Sequence, residues 1–340
     1  MILKYKSFNL PFTHPFTISK GTKTHQPTLI VSLQLGNCIG YGEAPAIAYY
    51  NITVEKMIED VENKRKLVEK FAFTSPERYW HYLHHLFPNN PFLVCALDMA
   101  GWDLYGKMHR KSLSELISKN QLNSIKTDYT IGIDTIDKML EKIKEKPWPI
   151  YKIKVGMPND IEILKAIRKN TNSILRVDAN AAWTAEEALL KIKELALLNV
   201  EFVEQPLAKD DWEGMKYLYQ HSPLPLIADE SCVFENDVEK CVGHFQGINI
   251  KLTKCSGITP ALRMKTLARK NNLKLMMGCM NESTIGSAAI AHFIPLLDYV
   301  DMDGPLLLKE DIASGIHFNE GNVLINNSPG LGIQILENSF

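Results

Sequence analysis

Five stretches decide how this chain is read: Tyr151-Lys152-Ile153-Lys154-Val155, Leu175-Arg176-Val177-Asp178-Ala179-Asn180, Val200-Glu201-Phe202-Val203-Glu204-Gln205-Pro206, Leu226-Ile227-Ala228-Asp229-Glu230-Ser231 and Ile248-Asn249-Ile250-Lys251-Leu252. Each is a short apolar run, rich in β-branched residues, that closes on a charge and is followed by a helix-like segment. The closing charges Lys154, Asp178, Glu204, Asp229 and Lys251 stand 24, 26, 25 and 22 positions apart. That spacing suits one strand, one loop and one helix per unit. It predicts parallel strands that present three carboxylates, flanked by lysines, at one end of a barrel.

Strand-like runs of the same kind extend the pattern on both sides. They fall at 127–132, 150–155, 173–178, 200–204, 225–229, 247–251, 273–278 and 298–301, with helical segments between them. Thr184 to Leu197 and Thr259 to Lys270 are the clearest helices. Eight parallel strands with seven intervening helices predict an α/β chain closed into a TIM-type barrel, over residues 121–304.

Residues 1–120 read differently, as an α+β module. Thr28 to Leu35 alternates and is β-branched, Gly36-Asn37 marks a turn, and Cys38 to Glu43 returns. Thr17 to Gln26 is expected to be a polar loop, and it holds Lys20 and Lys23. Helices are expected over Thr53 to Phe71, after the Ser75-Pro76-Glu77 start signal, and over Phe92 to Tyr105. Residues 305–340 contain Ile312, Ile316, Phe318, Val323, Leu324 and Ile325, too many apolar side chains for a free tail. They are expected to return to the first module and complete it.

Composition narrows the function. A net charge of −1 over 340 residues offers no electrostatic footprint for nucleic acid or an anionic membrane. No apolar run reaches the roughly 18 residues of a membrane helix. The N-terminus lacks a signal peptide's apolar core, so the cytoplasm is the expected compartment. Six cysteines without CxxC spacing suggest small reduced residues rather than a zinc site or a disulfide framework.

The strand ends carry the chemistry, because barrels of this kind place their active sites there. Asp178, Glu204 and Asp229 converging without partners would repel one another. A hard divalent cation resolves the conflict, and an all-oxygen set suits Mg²⁺ better than zinc. Any one of these carboxylates alone would read as a surface or salt-bridge group; three at consecutive strand ends read as a metal site. Lys154 and Lys251 lie on strands either side of the series. A lysine base must drop from about 10.4 to about 7–8 to work near neutral pH, and Lys152, on the same strand face, is expected to help as a like charge. Two opposed bases beside a Lewis acid suit removal of a proton α to a carboxylate and its return to the opposite face.

At these residues the chain resembles the enolase superfamily, in its muconate-lactonizing subgroup. Lys-Ile-Lys at 152–154, Asp-Ala-Asn at 178–180, Glu-Gln-Pro at 204–206, Ala-Asp-Glu-Ser at 228–231 and Asn-Ile-Lys-Leu at 249–252 carry the likeness. The resemblance implies a modified (β/α)7β barrel with an α+β capping domain. It also implies Asp178, Glu204 and Asp229 as Mg²⁺ ligands, with Lys154 and Lys251 as the acid/base pair. Asp301-Met302-Asp303 points within the subgroup to dipeptide epimerases, in which such a pair holds the free ammonium of the dipeptide. Thr130, Lys152, Cys279 and Asn281 match substrate-contacting positions there, and Glu282 either supports the site or caps the next helix.

The implied activity is inversion of the C-terminal residue's α-carbon in a dipeptide, either Ala-Glu or one with an apolar second residue. The alternatives keep the machinery and change the substrate: o-succinylbenzoate synthase, N-acylamino-acid racemase or cycloisomerase. A non-catalytic binding protein is disfavoured by the retained lysines and carboxylates. Two departures stand out. Ala181-Ala182-Trp183 replaces the family's usual Gln-Gly-Trp. The capping loop has no arginine, which leaves two alternatives: Lys20 or Lys23 meets an acidic side chain, or Tyr49 and Tyr50 line a neutral pocket. The sequence leaves a homo-oligomer open.

Overall fold

The computed structural model describes residues 1–118 and 125–336. The expected boundary at residues 120–121 and the last four residues of the 305–340 segment lie outside them.

The chain opens with an antiparallel sheet of β1 (Ile2–Ile18), β2 (Gly21–Leu35) and β3 (Cys38–Pro45), in that order. Thr17 to Gln26 is a hairpin arm, not the polar loop expected. Phe16 pairs with Lys23, Thr17 with Thr22 and Ile18 with Gly21, after a bulge between Pro11 and Phe16. From Thr17 to His25 the arm's side chains are exposed or only partly buried, so its sequence shows no apolar alternation.

Four helices follow: α1 (Val54–Lys70), α2 (Pro76–Leu86), α3 (Pro91–His109) and α4 (Leu113–Ile117). Thr53 and Ser75 cap the first two through their side chains, with Pro76 in the first turn of α2. Apolar α3 lies flat on β3. At Gly42 a Cβ would fall 2.0 Å from the Ala96 carbonyl oxygen, so only glycine allows the contact.

The second unit alternates β4 (Tyr129–Ile131), α5 (Ile136–Glu145), β5 (Ile150–Lys154), α6 (Asp160–Asn170), β6 (Ile174–Asp178), α7 (Ala185–Leu197), β7 (Val200–Glu204), α8 (Trp212–His221), β8 (Leu226–Ala228), α9 (Asp237–Lys240), β9 (Gly247–Ile250), α10 (Leu252–Cys255), α11 (Ile258–Lys270), β10 (Lys274–Gly278), α12 (Thr284–Ala291) and β11 (Tyr299–Asp301). The eight strands are parallel and neighbour one another in sequence order. A Thr127–Val300 bridge closes the ring, supported by the Met302 N–H donating to Thr127 Oγ1 at 2.9 Å. Each strand lies within a residue or two of its expected place. Buried on both faces, these strands read as near-continuous apolar runs.

After α13 (Gly304–Leu307), the chain forms the short strands β12 (Ala313–Ser314), β13 (Ile316–Asn319), β14 (Asn322–Ile325) and β15 (Gln334–Ile335). The Leu331 N–H donates to Asp103 Oδ1 at 2.8 Å, and the Gly330 carbonyl accepts from Leu113 N at 2.8 Å. No described helix is long and apolar enough to cross a membrane.

His292, at the end of α12, joins three parts of the chain. Its Nδ1 accepts from Ser114 N at 3.1 Å, which leaves Nε2 to donate to the Leu331 carbonyl at 3.2 Å. This arrangement requires the neutral ring, and burial lowers its pKa to about 4. Folding therefore loses stability as pH falls from about 6.5 towards about 4, because the unfolded chain then binds a proton that the folded one refuses. Between pH 7.5 and pH 5 this residue alone should cost about 2 kcal/mol. Denaturant titrations at the two pH values should show that slope flattened in His292→Gln.

Candidate active site

β5 brings Lys152 and Lys154 to its inner face, since alternate residues share a side. Lys154 is in register with Asp178, and Asp178 with Glu204, so strand pairing sets these groups side by side. Asp229 follows β8 directly, and its N–H donates to Gln205 Oε1 at 3.0 Å. Oxygens of Asp178, Glu204 and Asp229 lie within 4.8 Å of one another, and all three residues are buried. The flanking lysines hold the outer two: Lys154 Nζ is 2.6 Å from Asp178 Oδ2, and Lys251 Nζ is 2.9 Å from Asp229 Oδ2. Asn249 donates to Glu204 Oε1 at 2.7 Å.

The electrostatics of this triad are uneven. Burial alone would raise all three carboxyls. Lys154 and Lys152 override it at Asp178, and Lys251 and Lys254 at Asp229, so both sit below the usual carboxylate range. Glu204 is raised to about 7 by burial and by the neighbouring Asp178 charge. Burial opposes the charge on Lys251, but Asp229 outweighs it and the pKa lies well above the ordinary lysine value.

Lys152 works against the charge on Lys251 as a like charge, yet it is itself enclosed by carboxylates. Its ammonium lies 2.7 Å from Asp301 Oδ2, 2.7 Å from Glu204 Oε2 and 3.1 Å from Asp178 Oδ2. Three carboxylates compensate its charge, and it sits one layer beneath the cavity, two residues down the strand from Lys154.

Above this layer lies a cavity of about 340 Å³, the size of a small-molecule site. Lys20, Lys23, Thr130, Lys154, Asp229, Lys251, Cys279, Asn281, Asp301 and Asp303 all line it. Asp303 Oδ2 accepts from Thr130 N at 2.5 Å, and its carboxyl is raised to about 7 by burial and by Asp301. Burial pushes the Cys279 thiol well above its ordinary value, so it lines the site as a small protonated group. Lys20, at the hairpin tip, pairs with Glu230 at 3.4 Å and stands 3.8 Å over the Tyr49 ring. Lys23 is half-buried, 3.4 Å from Gln26 Oε1, and burial lowers its pKa.

Several participants had no assigned role in the sequence reading. Phe16, Ile18, Ile47, Asn180, Glu230 and Met280 also face the cavity. Lys254 is fully buried and adds a second cation to Asp229, through Oδ1. Its place one helical turn beyond Lys251 was the available signal.

The fold and site together define a capped barrel enzyme that handles a proton beside a carboxylate. The chain belongs to the mandelate racemase/muconate lactonizing enzyme family. Residues 4–118 match the N-terminal domain of that family, and residues 134–339 match the enolase C-terminal domain-like family. An L-Ala-D/L-amino acid epimerase from Flavobacterium johnsoniae is 49% identical over 99% of this chain and 100% of its own. The L-Ala-D/L-Glu epimerase of Bacillus subtilis, solved with substrate, superposes with a TM-score of 0.93 at 28% identity, covering 98% of each chain. A dipeptide epimerase from Enterococcus faecalis, solved with Mg and L-Leu-L-Tyr, gives a TM-score of 0.90 at 30% identity over 98% of each chain.

A lining role for Cys279 has a direct consequence. Cys279→Ala should keep kcat within about threefold, and iodoacetamide at pH 7.5 should not inactivate the wild type by modifying this residue, because almost none of it is thiolate. Peptide mapping of the alkylated protein reads the second outcome.

Proposed function

We propose that this chain is a Mg²⁺-dependent dipeptide epimerase that inverts the α-carbon of the dipeptide's C-terminal residue. One arrangement carries the reading: Lys154 and Lys251 flank a carboxylate triad, while Asp301 and Asp303 stand in the same cavity. The triad fits a hard cation. It offers only carboxylate oxygens, close enough together to share one ion, and its outer members are balanced by ion pairs to lysine side chains. When bound, Mg²⁺ would supply electrostatic stabilisation for negative charge developing on the substrate carboxylate.

The chain's own residues do the rest. Asp301 and Asp303 hold the dipeptide's ammonium by charge-assisted hydrogen bonds. A zwitterion of dipeptide length anchored at both ends places the second residue's α-carbon between the two lysines. One lysine takes the proton from one face, and the other returns a proton to the opposite face. Acyl-amino acids and muconate-like substrates offer no ammonium to Asp301 and Asp303, which argues against the other chemistries of the subgroup. The second side chain meets the hairpin arm and mouth loop. Lys23 suits an acidic group there, and Phe16, Ile18, Ile47 and Met280 suit an apolar one. Six free cysteines, five of them buried, support assigning the enzyme to the reducing cytoplasm.

Incubation of an L-Ala-L-Xaa library in D₂O with Mg²⁺, read by mass spectrometry, tests this. Deuterium should enter the C-terminal residue, and excess chelator should abolish the exchange until Mg²⁺ is restored. Absence of exchange in every dipeptide would refute the assignment. Lys154→Ala should lower turnover by at least about 10³-fold, as expected for loss of an acid/base group acting on carbon. Asp301→Asn should raise the dipeptide KM while the protein stays folded.

A further inference from the structure

One buried carboxylate of the capping module is left unexplained by the epimerase reading, on which this inference rests. Glu43 lies near the end of β3 and is fully buried. Its carboxylate crosses into the barrel domain and accepts four hydrogen bonds. Oε1 takes Thr28 Oγ1 at 3.0 Å and Ser283 N at 3.1 Å; Oε2 takes Ser283 Oγ at 2.6 Å and Gly286 N at 3.0 Å. An ionised carboxylate only accepts, so it satisfies all four donors. An amide of the same shape would turn its NH₂ towards two of them. Gly286 is part of the fit, since a Cβ there would stand 2.7 Å from Glu282 Cβ and 3.2 Å from Glu43 Oε2.

These contacts join three walls of the cavity. Thr28 belongs to β2, whose outer arm carries Lys23. β3 gives way, two residues after Glu43, to the mouth loop that holds Ile47. Ser283 directly follows the cavity loop of Cys279 and Asn281, and Gly286 lies in the first turn of α12. Asn281 holds φ at +66°, a left-handed turn conformation that asparagine tolerates better than most residues. The far side of this loop is tied too: Glu282 Oε2 accepts from Met280 N, and Asp311 accepts from Thr284 N.

We propose that Glu43 is a positioning residue for substrate: by tying the hairpin arm and mouth loop to the β10–α12 loop, it sets the width of the pocket that receives the dipeptide. It touches neither the substrate nor the reacting atoms. Loss of its charge therefore weakens dipeptide binding and leaves proton transfer largely intact.

The test uses the full chain with Mg²⁺ and two variants. Glu43→Gln exchanges two acceptor sites for donors. Ser283→Ala removes one donor and keeps the Ser283 N–H. The binding probe is L-alanyl-α-aminoisobutyrate, a dipeptide with no α-proton, measured by calorimetry. In Glu43→Gln its Kd and the KM of a turned-over dipeptide should both rise about tenfold, with kcat changed less than about threefold. Ser283→Ala should move the same constants in the same direction by a smaller factor. A lowered melting temperature with unchanged Kd and KM would show a merely structural role and overturn the proposal. If Glu43→Gln does not fold, Ser283→Ala decides by the same criterion. Wild-type protein that neither binds nor turns over any dipeptide would overturn the epimerase reading and this inference with it. Wild-type turnover with unmoved constants in both variants would overturn only the role of Glu43.

Discussion

The site depends on a single ammonium group. Lys152 is buried and lies within 3.1 Å of oxygens from Asp178, Glu204 and Asp301. Desolvating that cation is costly, and so is burying four acidic side chains around it, counting nearby Asp128. The arrangement holds because each charge compensates the others, so removing one would strand the rest. Geometry follows from it. Lys152 ties Asp178 on β6 and Glu204 on β7 to Asp301 on β11, and so fixes the distance between the two ends of the cavity. Arg176, the register partner of Lys152 on β6, does similar work. It pairs with Asp128 and Glu201, and donates to the Val300 carbonyl at 3.1 Å, beside the seam that closes the barrel.

The barrel was legible in the sequence because parallel strands covered on both faces must be apolar throughout, and because five consecutive strands, β5 to β9, close on a charge at the same end. That regularity located eight strands and the residues at their tips. The capping hairpin arm was not legible. Thr22, Thr24 and His25 are exposed, so no hydrophobic alternation marks the strand, and only pairing with β1 reveals it. Lys152 was found, but its surroundings were not. A Lys-x-Lys spacing shows that two cations share a strand face; it does not show that three carboxylates from distant strands surround the deeper one.

Partnerships across the two domains were hidden for a related reason. Glu43 and Ser283 are 240 positions apart, and Lys20 and Glu230 are 210 apart. Neither spacing nor local propensity carries information at that range. Gly42-Glu43-Ala44-Pro45 reads locally as a strand running into a turn, which it is. Its carboxylate is enclosed by Thr28 of β2 and by Ser283 and Gly286 at the start of α12, partners that only the fold brings together.

The cavity wall is divided unequally along the chain. The hairpin arm and mouth loop contribute residues between Phe16 and Tyr50, while the proton-handling and ammonium-holding groups all come from strand ends between Lys154 and Asp303. The two sets share almost no backbone. A lineage of such proteins can therefore drift in the first fifty residues, and change which side chain is admitted, without exposing its acid/base machinery to the same mutations. Selection can act on diet and on chemistry separately, within one reading frame.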